Sequence, residues 1–457
     1  MKILLVLPAA AHLRVTVDTP RVPRRRMLRF SVLPLTTVAA LTPPPHEVHI
    51  CDENVQALDF DVDVDVVGIS FMTALAPRAY EIAAEFRRRG RIVVAGGYHP
   101  TLCPREAAGH FDTVVVGEAE NNWPKVLADI QAGTLRPMYA SCGPADPASI
   151  PQPRRDLTAP SARHYATVNA VQAGRGCIHG CRYCSIAAFH GRAYRHRPVE
   201  SILAELRSVP RCFMFVDDNI IADPDFAREL FRRMIPLKKR WISQCSIRIA
   251  DDPELLDLAH RAGCQGLFIG VETLSEENLA SVGKQFNRAA DYEKRINAIR
   301  RSGIGVQAGI IVGMDGDDPG VFERTLRFLD GAGIDAIQLN ILTPLPGTPL
   351  FLEFDRAGRI TDRDWSHYDF RHCVIRPARM SAADLQAGAD WLYRKYYNPW
   401  RIIRRTWRTL WQLGPLFAMV IWRLNWTYRY DNVREGIVGH NPAQRQAEAR
   451  VQAVPVT

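Results

Sequence analysis

Three cysteines crowd into eight positions of this chain: Cys177, Cys181 and Cys184, in the stretch GRGCIHGCRYCSI with spacing C-x3-C-x2-C. Three thiolates on one tight loop can each hold one iron of a cubane [4Fe–4S] cluster, which in ordinary electron carriers takes four cysteines. The fourth iron is then left open, to chelate a small molecule bearing an amine and a carboxylate and to pass it one electron. Two other readings use the same residues. A structural zinc ion would need a fourth ligand, from His179 or His190, but zinc sites normally pair C-x2-C knuckles and no other cysteines form one. Alternatively the thiols are inert small hydrophobes in a buried loop. Spacing and position directly after a strand favour the cluster.

Such a loop needs a scaffold, and the sequence predicts two. The 457 residues suffice for two to three domains, and 47% apolar with 23% charged residues excludes collagen-like sequence and wholesale disorder. Residues 1–145 alternate β-branched runs (2–8, 47–53, 64–70, 91–97 and 113–118) with helical stretches, the clearest at 77–89. That pattern predicts a parallel sheet covered on both faces, a doubly wound, Rossmann-like α/β domain. The loops after its strands carry Gly96, Gly97 and His99, then Gly117 and Glu118, at the carboxyl edge where such sheets bind ligands. The alternative is that these glycines only close tight turns. Residues 146–165, rich in Pro, Ser and Ala, read as a linker. From 166 to 350, six more strand candidates (166–173, 212–217, 241–247, 266–272, 306–313 and 336–342) alternate with helices, predicting a partial (β/α)6 TIM-like barrel with its site at the strands' carboxyl ends.

Residues 351–457 predict a C-terminal helical region. One amphipathic helix is expected at 384–397, and 399–430 is crowded with Arg and Trp. The longest uncharged stretch there, 409–422, is broken by Gly414 and Pro415 and is too short to span a bilayer, which takes about 20 apolar residues. It suits either a helix lying in a membrane interface or one packed on the barrel. The N-terminal run MKILLVLP is shorter than a usual signal-peptide core and reads as a buried strand, so the expected location is the cytoplasm. Net charge is +9, which permits an anionic partner without identifying one. Of the other cysteines, Cys51, Cys142, Cys212, Cys245, Cys264 and Cys373 read mostly as buried packing residues; Cys103, just after GGYHPT, is left open.

The cysteine loop, with Tyr183 just before its last cysteine, resembles the signature of the radical S-adenosylmethionine (SAM) superfamily. GGYHPT at 96–101 and VVVGEAE at 114–120 resemble its subgroup with a B12-binding domain, and VDDNI (216–220), GVET (270–273), GIIVGMD (309–315) and LTPLPGTPL (342–350) support the resemblance. It implies that Cys177, Cys181 and Cys184 ligate the cluster and that Asp217, Asp218 and Asn219 meet the amino group of SAM. It further places Glu272 at the ribose or methionyl part, lets Gly309 and Gly313 admit the adenine backbone-close, and puts Tyr183 beside the cofactor. Gly96, Gly97, His99, Gly117 and Glu118 would line a cobalamin site. Competing readings make Asp217–Asn219 an Asx turn starting the next helix and Glu272 a cap for the helix near Ser275. No D-x-H-x-x-G motif places His46, His49, His99 or His110 as an axial cobalt ligand, so cobalamin is expected without one.

The resemblance implies an enzyme that cleaves SAM reductively to a 5′-deoxyadenosyl radical and functionalises an unactivated carbon of a hydrophobic substrate such as a lipid, hopanoid or tetrapyrrole. Cobalamin-dependent methyl transfer is the leading reaction, and cobalamin-free cyclisation, oxidation or carbon–carbon coupling the second. A non-catalytic iron–sulfur or zinc protein is the alternative from another class. Implied partners are an electron donor such as ferredoxin or flavodoxin and, from the C-terminal segment, the inner face of a membrane. No RNA-binding module is recognisable, which disfavours nucleic acid. No general acid or base is nominated, because the cofactors carry the difficult chemistry.

Overall fold

The structure, a computed structural model, describes residues 1–17, 32–141, 143–165 and 169–430. Cys142, the first three residues of the strand expected at 166–173, and the end of the C-terminal region lie outside them.

Six parallel strands form the first sheet: β1 (Lys2–Leu7), β2 (Glu47–Asp52), β3 (Val66–Ser70), β4 (Ile92–Gly96), β5 (Thr113–Val116) and β6 (Met138–Ala140), in the order β2-β1-β3-β4-β5-β6. Alternate residues feed two cores. Leu4, Val6, Val67, Val93 and Ala95 point to one face, and Ile3, Leu5, Val66 and Val94 to the other. Burial on both faces is why these strands read as continuous apolar runs. The short β6 escaped sequence reading because both ends of Met-Tyr-Ala are exposed. The order reverses at β1, between β2 and β3, which makes the sheet doubly wound with a crevice at its carboxyl edge.

A two-residue antiparallel ribbon, β8 (Gly174–Arg175) with β9 (Arg195–His196), frames the cysteine loop. Around it β7 (Ala170–Val171), β10 (Cys212–Phe215), β11 (Arg240–Cys245), β12 (Cys264–Glu272), β13 (Gly305–Val312) and β14 (Ala336–Ile341) form a second all-parallel sheet, in sequential order from β7 at one edge to β14 at the other. Helices follow its strands and share one apolar core with them, giving an open partial barrel. Every predicted strand of this half is present. Cys51, Cys245 and Cys264 are buried as expected and Cys373 partly so, but Cys212, opening β10, is exposed.

The helix Ala382–Tyr396 starts with a capping box between Ser381 and Asp384. The Arg- and Trp-rich segment is two helices, Pro399–Leu413 and Pro415–Arg429, hinged at Gly414 (φ 89°). They pack under the amino-terminal ends of β13 and β14: Asn425 Nδ2 donates to the Asp335 carbonyl (2.9 Å) and Arg300 to Gln412 (2.7 Å). No helix among the described residues is long and apolar enough to cross a membrane.

β14 is an edge strand, and its free backbone groups need partners. The fully buried Tyr397 hydroxyl accepts from Ile337 N–H (3.1 Å) and donates to the Ile337 carbonyl (2.8 Å), while the Phe370 carbonyl takes Ile341 N–H (2.7 Å). Tyr397→Phe therefore leaves a buried donor and acceptor unpaired, and denaturant unfolding should show a loss of about 1–3 kcal/mol.

Candidate cofactor site

Between the ribbon strands the chain turns through Gly176 at φ 86°, where a Cβ would stand 2.2 Å from the Ala193 carbonyl oxygen, so only glycine fits. The loop is clamped from two sides. Arg182 N–H donates to the Val282 carbonyl (3.0 Å), and the Arg182 carbonyl accepts from Leu350 N–H (3.1 Å) in the stretch LTPLPGTPL. Cys184 leads into the helix Ser185–His190, Cys181 is buried, and Cys177 and Cys184 are partly so. Burial pushes all three thiols up, Cys184 to about 12, and the Lys284 charge partly offsets it at Cys177 and Cys181. Metal binding here must displace protons. Of the two histidines the zinc alternative would call on, His179 is stacked on Phe286 (3.7 Å) and His190 Nδ1 faces Glu118 (3.2 Å). Three free thiols on one clamped loop fit a cubane with one iron unligated by protein.

The residues after β10 brace this loop. Asp217, fully buried, accepts from Ala173 N–H (2.9 Å), Gly174 N–H and the Tyr194 hydroxyl (3.1 Å), tying β10 to the strand that delivers the cysteines. Burial pushes its carboxyl up to about 7 against those backbone donors. Asp218 accepts from Gly176 N–H (3.3 Å), with its carboxyl raised by burial to about 6 and His190 pulling the other way. Asn219 Oδ1 accepts from Ser246 N–H (3.0 Å). The Asx-turn reading is not what is found: Asp223 caps the following helix. Nor does Glu272 cap the helix near Ser275, because Ser275 does so itself. Glu272 closes β12 at φ 68°, a strained setting for a non-glycine residue, and pairs with the buried Lys284. Partly buried Tyr183 lies against Glu272; desolvation first, and then that carboxylate, raises its hydroxyl pKa well above the ordinary value. Gly309 and Gly313 are filled around from within the protein: a Cβ at the first meets the Phe268 ring at 3.0 Å and at the second, φ 94°, meets Leu385 at 2.5 Å.

At the carboxyl edge of the first sheet, Gly96 and Gly117 have open space beside them, a cradle that a side chain would fill. Gly97 instead turns tightly against the Phe71 backbone. Two of the residues expected there are engaged within the protein. His99 does not face the edge: it is completely buried, bonded to the Tyr80 hydroxyl (3.0 Å) and Thr73 (3.3 Å), with Trp365 edge-on above it. It groups with Cys103 and Glu106, but Glu106 Oε1 is taken by Tyr80 (2.8 Å) and Trp365 (2.8 Å). Glu118 does not face open space either. It receives Arg195 (2.7 Å), His190, Arg175 (3.4 Å) and the Ala145 N–H (2.6 Å). Burial opposes its ionisation, yet His190 and Arg195 together hold it well below the usual carboxylate range. Arg175 also bonds Glu120, and Tyr98 packs on Phe189 (4.6 Å). The two carboxyl edges are thereby held face to face, the open glycine cradle on one side and the cysteine loop on the other.

A family model described as the radical SAM superfamily matches residues 171–329, and one described as the B12 binding domain matches 32–127. Bacteriochlorophyllide d C-12(1)-methyltransferase of Chlorobaculum tepidum is 32% identical over 350 residues, 75% of this chain and 76% of that one. This chain belongs to the radical SAM enzymes that carry a B12-binding domain. The bacteriochlorophyllide d C-8(2)-methyltransferase of the same organism is 29% identical, covering 81% of this chain and 88% of that one, and hopanoid C-2 methylase of Rhodopseudomonas palustris is 28% identical, covering 74% and 67%. In fold, the radical SAM methyltransferase TsrM of Kitasatospora setae, solved with cobalamin and a [4Fe–4S] cluster bound, matches 99% of each chain with a TM-score of 0.67 at 15% identity. This radical SAM protein is an enzyme whose cofactors are a [4Fe–4S] cluster, SAM and cobalamin. The reading as a non-catalytic metal protein is overturned by its methyltransferase relatives.

Sequence reasoning missed Lys284, Arg175, Arg195 and Tyr98. Arg175 and Tyr98 sit within the motif stretches already singled out, whereas nothing in the surrounding sequence marks Lys284 or Arg195. The bracing role of Asp217 is testable because Asp217→Asn keeps its shape but turns one acceptor into a donor facing a backbone N–H. Expect about 1–3 kcal/mol lower stability and reduced iron content after reconstitution, measured by denaturation and iron assay. Cys181→Ala should abolish cluster absorbance near-completely while leaving the far-ultraviolet dichroism intact.

Proposed function

We propose that this enzyme transfers a methyl group to an unactivated carbon of a hydrophobic substrate, with a chlorophyll-type tetrapyrrole as the first candidate. The observation that carries the choice is the similarity to the two bacteriochlorophyllide d methyltransferases over three quarters or more of each chain. A hopanoid is the second candidate, favoured by the more distant hopanoid C-2 methylase.

When bound, the cofactors supply an electron, a hydrogen-abstracting species and a methyl group. The chain does the rest. Cys177, Cys181 and Cys184 hold the cluster, Asp218 and Asn219 lie beside the cysteine loop to receive the SAM amino group, and Asp217 fixes the loop from beneath. Tyr183, Glu272 and Lys284 form the wall toward the ribose or methionyl part. Gly309 and Gly313 set the close packing of β13 next to it. Gly96, Gly97 and Gly117 would line the cobalamin edge, with His99 and Glu118 beside them. In domain terms, residues 1–145 bind cobalamin, 146–165 link, 166–350 form the SAM barrel and 351–457 the helical region. Ferredoxin or flavodoxin supplies the electron, in the cytoplasm.

The test is anaerobic reconstitution with iron, sulfide and hydroxocobalamin, then incubation with a reductant, methyl-labelled SAM and either a bacteriochlorophyllide d-type pigment or a hopene. Labelled product with both 5′-deoxyadenosine and S-adenosylhomocysteine is expected. 5′-Deoxyadenosine with an unmethylated, cyclised or oxidised product would instead establish the cobalamin-free reaction.

A further inference from the structure

The two C-terminal helices, Pro399–Leu413 and Pro415–Arg429, bury one face and leave another bare. Ile402, Arg405 and Thr409 of the first, and Ala418, Ile421 and Asn425 of the second, are buried toward the barrel. Arg405 bonds Asn425 (2.7 Å) and the Tyr396 carbonyl (2.9 Å), and Arg401 pairs with Asp330 (3.0 Å), so the orientation of the hairpin is fixed. The opposite face carries Trp400, Trp407 and Trp411, exposed at 78%, 61% and 74%, continued across the turn by Leu416, Met419 and Trp422. Positions 400, 407 and 411 fall on one stripe of a 3.6-residue helix. A soluble monomer rarely leaves so many large rings in water on one face.

Charge identifies what covers it. From Trp391 to Tyr430 there are eight Lys and Arg residues and no Asp or Glu; exposed Arg423 flanks the apolar face, as does Arg404, which also pairs with Asp330 (3.0 Å). A second copy of this chain seated on the face would set cation against cation. Tryptophan rings between cations match the boundary of an anionic bilayer, where the indole lies at headgroup level and the guanidinium meets lipid phosphate. Neither helix is long and apolar enough to cross the bilayer. We propose that this hairpin face is a peripheral docking surface for anionic lipid bilayers, lying flat in the headgroup region.

The test uses the reconstituted full chain in sedimentation with vesicles of phosphatidylcholine alone or with phosphatidylglycerol, with tryptophan fluorescence in parallel. Binding to the anionic vesicles, a blue shift, and weakening at high salt are expected. The double substitution Trp407→Ala and Trp411→Ala should weaken binding about tenfold or more while cluster absorbance and substrate-free cleavage of SAM stay at the parental level. No vesicle binding, equal binding to neutral vesicles at all salt concentrations, or a dimer in analytical ultracentrifugation that the same substitutions dissolve would each overturn the proposal.

Discussion

Glu118, two residues past β5 of one sheet, receives Arg175 and Arg195 from the ribbon that frames the cysteine loop of the other. Because it is almost fully buried, its charge has no water to fall back on, and truncating a partner of such a group costs about 3–5 kcal/mol. That directionality separates this contact from apolar packing. Hydrophobic surfaces hold two bodies together but tolerate sliding, whereas a carboxylate with fixed donors from two ribbon strands sets one register. Arg175 and the ring pair of Tyr98 with Phe189 extend the same junction on either side. This junction is where the chain fixes the approach of the glycine cradle and the cysteine loop.

The second sheet was legible strand by strand because each of its strands feeds the apolar core, while the short, half-exposed β6 of the first sheet carries little such signal. The cysteine loop was legible for a different reason: three thiols in eight positions are rare enough to speak for themselves. What sequence could not supply was partnership. His99 and Glu118 stand at the predicted edge of the first sheet, but their polar atoms are taken by Tyr80, Thr73, Arg195 and Ala145, residues from 19 to 77 positions away. Asp223 and Ser275 do the capping for which Asp217–Asn219 and Glu272 were candidates. A carboxylate's use depends on which donors the tertiary fold brings to it, and spacing along one strand holds no record of that.

The brace around the cysteine loop is built from groups whose burial is costly on their own. Asp217 in isolation would be driven neutral by its surroundings, and its backbone donors work against that. The three thiols are pushed toward their protonated forms by the same dry environment. A dry site strengthens every electrostatic contact within it and keeps water from reactive species. The Pro-rich stretch from Leu342 to Leu350 contributes directly, since its Leu350 amide holds the loop from above.

The helical hairpin lies beneath the amino-terminal ends of β13 and β14, and the cysteine loop stands above their carboxyl ends. The eight residues of β13 alone separate the two levels by about 25 Å at the rise of an extended chain. On the proposed docking, the bilayer touches one pole of the enzyme while the cysteine loop sits at the other, so a substrate drawn from that surface has the length of the barrel to travel.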